Sequence, residues 1–546
     1  MDFGREAEEP GSGLRGFQRK AFGLFAEMPH RGSGTHYEAR AARMLSRLAA
    51  ESLEAQVELE PFAVDLSSGA WNVALHGTLL CLVLALDWLA GLGLAAAYGP
   101  GARAAGLGFL GSVPLPFAAV ALGATLLLLA SRISAGKLGW GVFSFFVPNA
   151  DSADIVVSDL PRLSDGDSLR LAPAERWKRR FEASGKKRLL ILAAHYDSAR
   201  CLPPSKGKGA PPDCLLAALK NGIGLIPTAA YLLLALSFGL SVLLAFLDPS
   251  GALSRGAPGW IAAVLVLGSF GVAAVEAFIA GKSVNLPFQQ GYNDDLSGVV
   301  AALGAFRGLA PRDAPRAEPA AAASAGAASA APAPAATTLA DTALMAVLTG
   351  SEENGLRGAS EFARRVLAPA VGVFGKERVL LVNLDSVSGG ELVAAAGERD
   401  FTGATKSGDP DFARKAVDFL RGPRLQAARA AESLAPKEIE ASLEPAGPGA
   451  FAYRLRLEPE PLPACTDMTG FCSVGGLNRR LRAFTVVSRE AGSGPLPQPR
   501  DYHQPSDTLE TLFLESEPAN FGNVLALSLA LADLAAEADK GSFDGE

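Results

Sequence analysis

The sequence predicts an α/β fold, a mixed sheet with helices on both faces, into which two transmembrane helical hairpins are inserted. Three short apolar runs, LLILAA, ALMAVLT and RVLLVNL, are rich in Leu, Val and Ala, as expected of strands buried on both faces. Four longer apolar segments each reach the ~20 residues that a bilayer requires. Hydrophobic residues make up 49% of the 546 residues and charged residues only 20%, so part of the chain is expected in lipid.

The elements can be placed in chain order. VELEPFAV is the expected first strand and ADIVVSDL the second, the three apolar runs follow, and LSGVVAALGAF is an expected helix. Polar residues begin where each of the three apolar runs stops. Ligands of open α/β sheets collect at the carboxyl ends of the strands, so these transitions predict a ligand site at that edge.

Five short stretches carry the polar residues of this predicted site: ILAAHYDSA, GYNDDLSG, VLTGSEENGL, LLVNLDS and DYHQPSDTLE. Their candidate residues are His195, Asp197, Asp294, Glu352, Glu353, Asp385 and His503. Two imidazoles and three of these five carboxylates suit zinc, which takes nitrogen and oxygen donors. Each motif alone also fits a helix cap, a first helical turn or a surface histidine. The chain has only five histidines, however, and two fall where a metal site requires them.

The order of the motifs, HxD, NDD, EE, D and H, resembles the co-catalytic di-zinc exopeptidases of the bacterial leucyl aminopeptidase and aminopeptidase Y type, relatives of glutamate carboxypeptidase II. The match covers roughly residues 14 to 70 and 140 to 540, with interruptions. The resemblance implies a zinc-exopeptidase (phosphorylase/hydrolase-like) fold with two zinc ions per chain. It also implies hydrolysis of peptide bonds.

The resemblance assigns a role to each metal ligand. Asp294 would bridge the two zinc ions. His195 and Asp385 would complete one zinc site, and Glu353 and His503 the other.

Three further acidic residues receive roles beside the ligands. Glu352 would be the general base by the same resemblance. Asp197, two residues from His195 on an extended strand, would hold the imidazole tautomer from the same side. TDMTGFC resembles the family's late acid-plus-aromatic segment near the substrate, although it departs from the usual pattern at Asp467.

The four apolar segments lie at about residues 72 to 98, 107 to 130, 223 to 247 and 259 to 280. Segments such as YLLLALSFGLSVLLAFL have no polar face, unlike the helices of a soluble core. The first pair falls between the first two strands and the second pair between the HYD and NDD motifs. Each pair is therefore expected to form a hairpin inserted in one catalytic domain, which would seat the active site close to the membrane surface.

The predicted domain boundaries follow from these insertions. The peptidase domain comprises residues 1–70, 133–220 and 283–546, and the transmembrane hairpins are residues 71–132 and 221–282. An Ala/Pro/Ser-rich low-complexity stretch at residues 309–338 is expected to be a passive loop.

The orientation in the membrane is predicted from charge and from the leading segment. Basic residues near the span ends favour the domain side, and the chain start lacks the features of a secretory signal. The catalytic domain of this four-span protein is therefore expected to face the cytoplasm. Cys201 with Cys214, and Cys465 with Cys472, could instead form disulfides in an oxidising compartment, although a buried free thiol is the expected state of each.

The predicted function is a membrane-bound zinc aminopeptidase whose partners are peptide or protein N-termini and the lipid bilayer. The net charge of −7 offers no basic face for nucleic acid. The oligomeric state is open, and related enzymes act on carboxyl termini or dipeptides. A glutaminyl-cyclase-like acyltransferase with one zinc, and a non-catalytic membrane receptor or scaffold on the same fold, are the two alternatives.

Overall fold

The protein is described by a computed structural model. It describes residues 14–53, 55–65, 149–164, 170–201, 287–309, 339–399, 405–421, 455–462, 466–473, 481–489, 503–513 and 518–544. The predicted hairpins at 71–132 and 221–282, and the low-complexity stretch beyond residue 309, lie outside the described residues. Cys201 and Cys472 are buried free thiols, as expected.

The described secondary structure alternates between strands and helices. The strands are β1 (Gln56–Asp65), β2 (Asn149–Ser158), β3 (Arg188–His195), β4 (Thr342–Thr349), β5 (Val379–Asp385), β6 (Glu391–Ala395), β7 (Gly397–Arg399), β8 (Thr405–Ser407), β9 (Leu455–Glu458) and β10 (Arg482–Arg489). The helices are α1 (Leu14–Gly23), α2 (His36–Ser52), α3 (Pro173–Ser184), α4 (Ser297–Leu309), α5 (Arg357–Phe362), α6 (Ala368–Phe374), α7 (Pro410–Leu420), α8 (Asp467–Ser473), α9 (Leu509–Phe513) and α10 (Pro518–Asp539). Tyr292–Leu296 and Ala363–Leu367 are π-helical turns, and Lys376–Arg378 is a 3₁₀ turn.

Eight of these strands form one mixed sheet in the order β1-β2-β4-β3-β5-β10-β6-β9. β4, β3, β5 and β10 run parallel to one another. β2 and β6 pair antiparallel with the two outer members of that parallel set. The predicted mixed α/β sheet is confirmed, and so are the five strands expected from the sequence.

Side chains that alternate along β3 explain why its sequence is apolar throughout. Leu190 and Leu192 pack in the cluster that includes α1, α2, α4 and α10. Leu189 and Ile191 pack on the opposite face, with Trp177 of α3 and the residues of α5 and α6. Both faces of the strand are therefore covered by helices, as a continuous apolar run predicts.

The residues at helix ends account for several element boundaries. The Thr35 side chain accepts the Glu38 N–H at the start of α2, and Asp409 accepts the N–H groups of Asp411 and Phe412 at the start of α7. Gly185 ends α3 with φ 66°, a left-handed conformation that glycine adopts without steric cost.

Within the described residues, one helical segment, Asn520–Asp539, is long and apolar enough to cross a membrane. Its most apolar window is 78% buried inside the fold, and it belongs to α10, which packs against α4. Its apolar sequence is thus accounted for by the core of the α/β domain.

The ends of both predicted insertions lie next to each other in space. Asp65 pairs with Asn149 at the end of the β1–β2 ladder, and the Cys201 N–H donates to the Pro287 carbonyl at 2.7 Å. The first residues of β2 extend beyond the carboxyl end of β4, and Cys201 follows the carboxyl end of β3. The chain therefore leaves and returns twice at the carboxyl edge of the parallel strands.

Candidate metal centre

The candidate metal ligands lie at the carboxyl ends of the parallel strands. His195 is the last residue of β3 and Asp385 the last residue of β5. Glu352 and Glu353 follow β4 after a two-residue turn. The sheet therefore delivers three ligand-bearing segments to one edge, because β3, β4 and β5 are parallel neighbours.

Donor atoms from these segments meet those of the two remaining motifs in three overlapping groups. Their members are His195, Asp294 and Asp385; Asp294, Glu353 and His503; and His195, Glu352 and Glu353. Within each group the ligand atoms lie within 4.8 Å of one another. The first two groups share Asp294 and have the composition that the sequence predicted for two zinc sites.

Asp294 lies between the two histidines. Its Oδ1 is 3.2 Å from His195 Nε2, and its Oδ2 is 3.2 Å from His503 Nε2. His503 Nε2 is also 3.2 Å from Glu353 Oε1. The two oxygens of one carboxylate thus face two separate donor sets, which is the arrangement that a bridging ligand requires.

The charges in this cluster are poorly balanced. Burial raises the pKa of Asp385, and the neighbouring charge of Asp294 raises it further. Burial also raises the pKa of Glu352 well above its ordinary value, with Glu353 adding to the rise. For Asp294, burial is outweighed by the hydrogen bonds with His195 and His503, which lower its pKa.

Bound cations would resolve this imbalance. Burial lowers the pKa of His503, but Glu353 and Asp294 together raise it to about 10. Buried carboxylates this close together are unfavourable unless an opposite charge accompanies them. Imidazole nitrogen and carboxylate oxygen donors are also the types that zinc accepts. The donor set therefore fits the metal that the sequence predicts.

Asp197 fixes the backbone that carries the two glutamates. Its carboxylate accepts the Glu352 N–H at 3.0 Å, the Glu353 N–H at 3.1 Å and the Ser33 hydroxyl at 2.5 Å. His195 Nδ1 lies 3.2 Å from the Asp197 carbonyl oxygen and 3.6 Å from Oδ1. Asp197 therefore reaches the imidazole mainly through its carbonyl, and its role in setting the tautomer stays a prediction.

Asp295 likewise holds the backbone of two other segments and of its own, which the sequence did not reveal. Its carboxylate accepts the N–H groups of His195 at 3.2 Å, Gly298 at 2.9 Å and Ser386 at 2.9 Å. A Cβ at Gly298 would lie 2.5 Å from Asp295 Oδ1, so this close approach requires glycine. The Asp294–Asp295 peptide bond is cis.

Asp507, in the segment that carries His503, is a third buried acid that accepts backbone N–H groups beside the candidate ligands. It is fully buried and accepts the Asn293 N–H at 2.7 Å and the Asp294 N–H at 3.1 Å. The sequence feature that could have identified Asp507 is its spacing, since Asp197, Asp295 and Asp507 all lie within four residues of a candidate ligand.

Backbone conformations beside the ligands are unusual. Ser351, Ser386 and His503 have φ values of 53°, 57° and 53°. These left-handed conformations are uncommon outside glycine and cluster at functional sites, where surrounding contacts hold them. The carboxylate–N–H bonds described above provide such contacts at two of these positions, because they act on Glu352, directly after Ser351, and on Ser386 itself.

Asp467 lies outside the three groups of donor atoms. It is buried, and its Oδ2 accepts the Thr349 hydroxyl, while its Oδ1 has no hydrogen-bond partner among the described residues. Burial raises its pKa, an effect that the nearby His195 partly offsets. Helix α8, which begins at Asp467, is held to β7 by Glu398, which accepts hydrogen bonds from Thr469.

Comparison with known proteins gives structural likenesses only. No protein-family model matches the chain, and no curated protein matches it. An aminopeptidase from Aneurinibacillus sp. strain AM-1 aligns over 95% of this chain and 93% of its own, with 13% identity and a TM-score of 0.38. The Legionella pneumophila LapA aminopeptidase aligns over 96% and 71%, with 8% identity and a TM-score of 0.39. BSAP, a zinc aminopeptidase from Bacillus subtilis, aligns over 70% and 50%, with 12% identity and a TM-score of 0.29.

The Asp507→Asn variant tests whether this carboxylate holds Asp294 in place. One of its two accepting oxygens becomes an NH₂ group facing an N–H donor, which costs about 1–3 kcal/mol. We expect the dissociation constant for zinc to rise about tenfold or more, since about 1.4 kcal/mol corresponds to a factor of ten. Competition with a chromogenic chelator measures it.

Asp539→Asn is the matched control for this variant. Asp539 accepts the N–H groups of Ala340, Asp341 and Thr342, away from the candidate ligands. It should lower the melting temperature without changing the affinity for zinc. Unchanged zinc affinity in the folded Asp507→Asn variant would contradict the positioning role of Asp507.

Proposed function

We propose that this chain is a zinc-dependent metallo-exopeptidase, an aminopeptidase that binds two zinc ions. The observation that carries the proposal is the position of Asp294, whose two oxygens each lie 3.2 Å from Nε2 of a different histidine. Asp385 accompanies the His195 side and Glu353 the His503 side. A bridging acid with a histidine and a carboxylate on each side would suit two borderline cations.

His195, Asp294 and Asp385 would hold one zinc, and Asp294, Glu353 and His503 the other. When bound, the two ions polarise the scissile carbonyl and lower the pKa of the attacking water. The remaining contributions to catalysis come from the protein residues. Its fixed strand ends and buried carboxylates set the ligand positions before a substrate arrives, so little reorganisation is needed during the reaction.

Glu352 is the proposed general base. Its carboxylate lies within 4.8 Å of donor atoms of His195 and Glu353, and its backbone is held by Asp197. A Glu352 oxygen would take the proton of the attacking water and deliver it to the leaving amine nitrogen. Removal of the amino-terminal residue, rather than a carboxyl-terminal residue, is part of the proposal and rests on the motif resemblance.

The proposal includes attachment to the bilayer through the two hairpins, with the catalytic domain in the cytoplasm. The apolar composition of residues 72 to 98, 107 to 130, 223 to 247 and 259 to 280 supports it. So does the adjacency of the chain ends around each insertion, since a hairpin returns to the point it left. Peptide or protein N-termini near the membrane surface are the proposed substrates.

Metal analysis of the detergent-purified protein, combined with an aminoacyl-amide assay, tests this function. We expect about two equivalents of zinc and release of the amino-terminal residue. One zinc with cyclisation of an amino-terminal glutamine would indicate a glutaminyl-cyclase-like acyltransferase instead. Bound metal without turnover of any of these substrates would indicate a non-catalytic receptor or scaffold.

The Glu352→Gln variant separates catalysis from metal binding. Glutamine cannot accept the water proton, so we expect kcat to fall roughly 10²-fold or more while zinc content is kept. Steady-state kinetics and metal analysis on the same sample measure both quantities. Turnover near that of the unmodified protein would remove Glu352 from the mechanism.

The Asp294→Ala variant tests the bridging role. Its loss removes a ligand from both zinc ions and leaves two like charges without the shared carboxylate, so both ions should be lost together. Asp409→Ala, which removes the cap of α7 and an ion pair with Arg482 at 3.6 Å, should keep its zinc. Retention of both equivalents by Asp294→Ala would assign the bridge to another acid, and Asp295 would be the next candidate.

Cysteine labelling tests the membrane orientation. A membrane-impermeant thiol reagent applied to intact cells should reach a cysteine at Ser254, in the predicted tip of the second hairpin. A cysteine replacing Glu182, whose side chain is 53% exposed on α3, should react only after lysis. The reverse pattern would place the catalytic domain on the opposite side of the membrane.

A further inference from the structure

We propose that Arg31 is a positioning residue that holds the segments carrying His195 and Asp294 at metal-binding separation. This role rests on the proposed function, because it presupposes that these two residues bind metal. Arg31 itself belongs to the segment between α1 and α2 and is 1% exposed. It is not one of the grouped donor residues, so it would act through the ligands.

The hydrogen bonds of Arg31 join both ligand segments. Its Nε donates to the Tyr196 carbonyl at 2.6 Å, directly after His195. Its Nη1 donates to the Gln290 carbonyl, and its Nη2 to the Gly291 carbonyl at 2.6 Å, a few residues before Asp294. A planar guanidinium can direct donors to both sides at once, which a lysine ammonium cannot reproduce.

The backbone of Arg31 strengthens the first of these connections. Its N–H donates to the Ser198 hydroxyl at 2.9 Å, and its carbonyl accepts the Ser198 N–H at 3.3 Å. Two residues later, the Ser33 hydroxyl donates to Asp197. The segment after β3 is therefore held from the side chain and the backbone of Arg31 together.

The hydrogen bonds of Arg31 connect segments on either side of the second predicted insertion. Its two target segments flank residues 202–286, which contain the predicted second hairpin. An insertion of this length does not itself fix how the two segments lie relative to each other, so contacts between them must do so. The Arg31 guanidinium connects the two segments directly, because it donates to carbonyls of both.

Charge is the second contribution of Arg31. Burial lowers its pKa, whereas Tyr292, Asp507, Asp197 and Asp294 raise it. The three side-chain hydrogen bonds described above go to backbone carbonyls, so the guanidinium counters the buried acids without taking an oxygen from a metal ligand. A carboxylate cluster can then stay in ligand geometry at a lower electrostatic cost.

The same segment reaches a third ligand-bearing loop through Glu38. Glu38 Oε1 accepts the Ser351 hydroxyl at 3.0 Å, directly before Glu352, and Oε2 accepts the Gly34 N–H at 2.6 Å. Residues 31–38 thus contact the loops that carry His195, Asp294 and Glu352. Arg31 is the member of this segment that joins two of them with one side chain.

Zinc affinity of Arg31→Lys and Arg31→Ala, measured on folded protein by chelator competition, tests the role. We expect the zinc dissociation constant to rise at least tenfold in both. Millimolar guanidinium chloride should restore part of the affinity to Arg31→Ala, by filling the vacated position, and none to Arg31→Lys. If the role of Arg31 were merely structural, the variants would lower the melting temperature of the zinc-free protein. Their zinc affinity would stay that of the unmodified protein, and guanidinium would have no effect on it.

Arg180 provides a matched control. It is also 1% exposed and donates to two backbone carbonyls, those of Pro161 at 2.9 Å and Leu160 at 3.4 Å. Arg180→Lys should lower the melting temperature without changing zinc affinity. If Arg31→Ala does not fold, Arg31→Lys decides alone.

The outcomes separate this role from the proposed function. Zinc bound equally well by the unmodified protein and by a folded Arg31 variant would overturn the positioning role and leave the proposed function standing. No zinc bound by the unmodified protein would overturn the proposed function, and the role of Arg31 with it.

Discussion

Buried carboxylates that accept backbone N–H groups hold the candidate metal centre together. Asp197 binds the backbone of Glu352 and Glu353, and Asp507 binds the backbone of Asp294. Asp295 binds the backbone of His195 and Ser386. Each of these acids follows a candidate ligand in sequence but holds the backbone of another motif. Five motifs spread over more than three hundred residues are thereby joined without using a ligand oxygen.

This framework also creates the electrostatic problem that the centre must solve. Carboxylates that bind backbone and carboxylates that face the metal positions are buried side by side, and each tends to raise the pKa of the next. Backbone N–H groups stabilise the charge of the first kind, and the Arg31 guanidinium adds a diffuse positive charge. The ligand carboxylates still outnumber the two histidines, His195 and His503, so negative charge remains in excess. Two divalent cations are the charge that would complete the balance.

Sequence reasoning reached the parts of this arrangement that depend on local pattern. Buried strands have continuous apolar runs, and a polar residue at the end of a run marks the sheet edge, so β3, β4 and β5 and their terminal residues were predictable. The contacts of Asp295, Asp507 and Arg31 were not, because each joins segments far apart in sequence and depends on their packing. A buried arginine and a turn aspartate look locally like ordinary surface residues. Asp467 lies outside the donor groups, and its place near the substrate, which its motif suggested, stays a prediction.

The shared edge of the sheet links the metal centre to the insertions. Loops at the carboxyl ends of parallel strands are surface connections, which tolerate long insertions at a small entropic cost. The same ends carry the candidate ligands, so whatever the inserted segments bind is brought beside the metal centre. With the segments in a bilayer, as proposed, the carboxyl edge faces the membrane and substrates approach along its surface. Arg31 links the metal centre to the second insertion, because its guanidinium binds the Tyr196 and Gly291 carbonyls on either side of that insertion. These carbonyls lie next to His195 and close to Asp294.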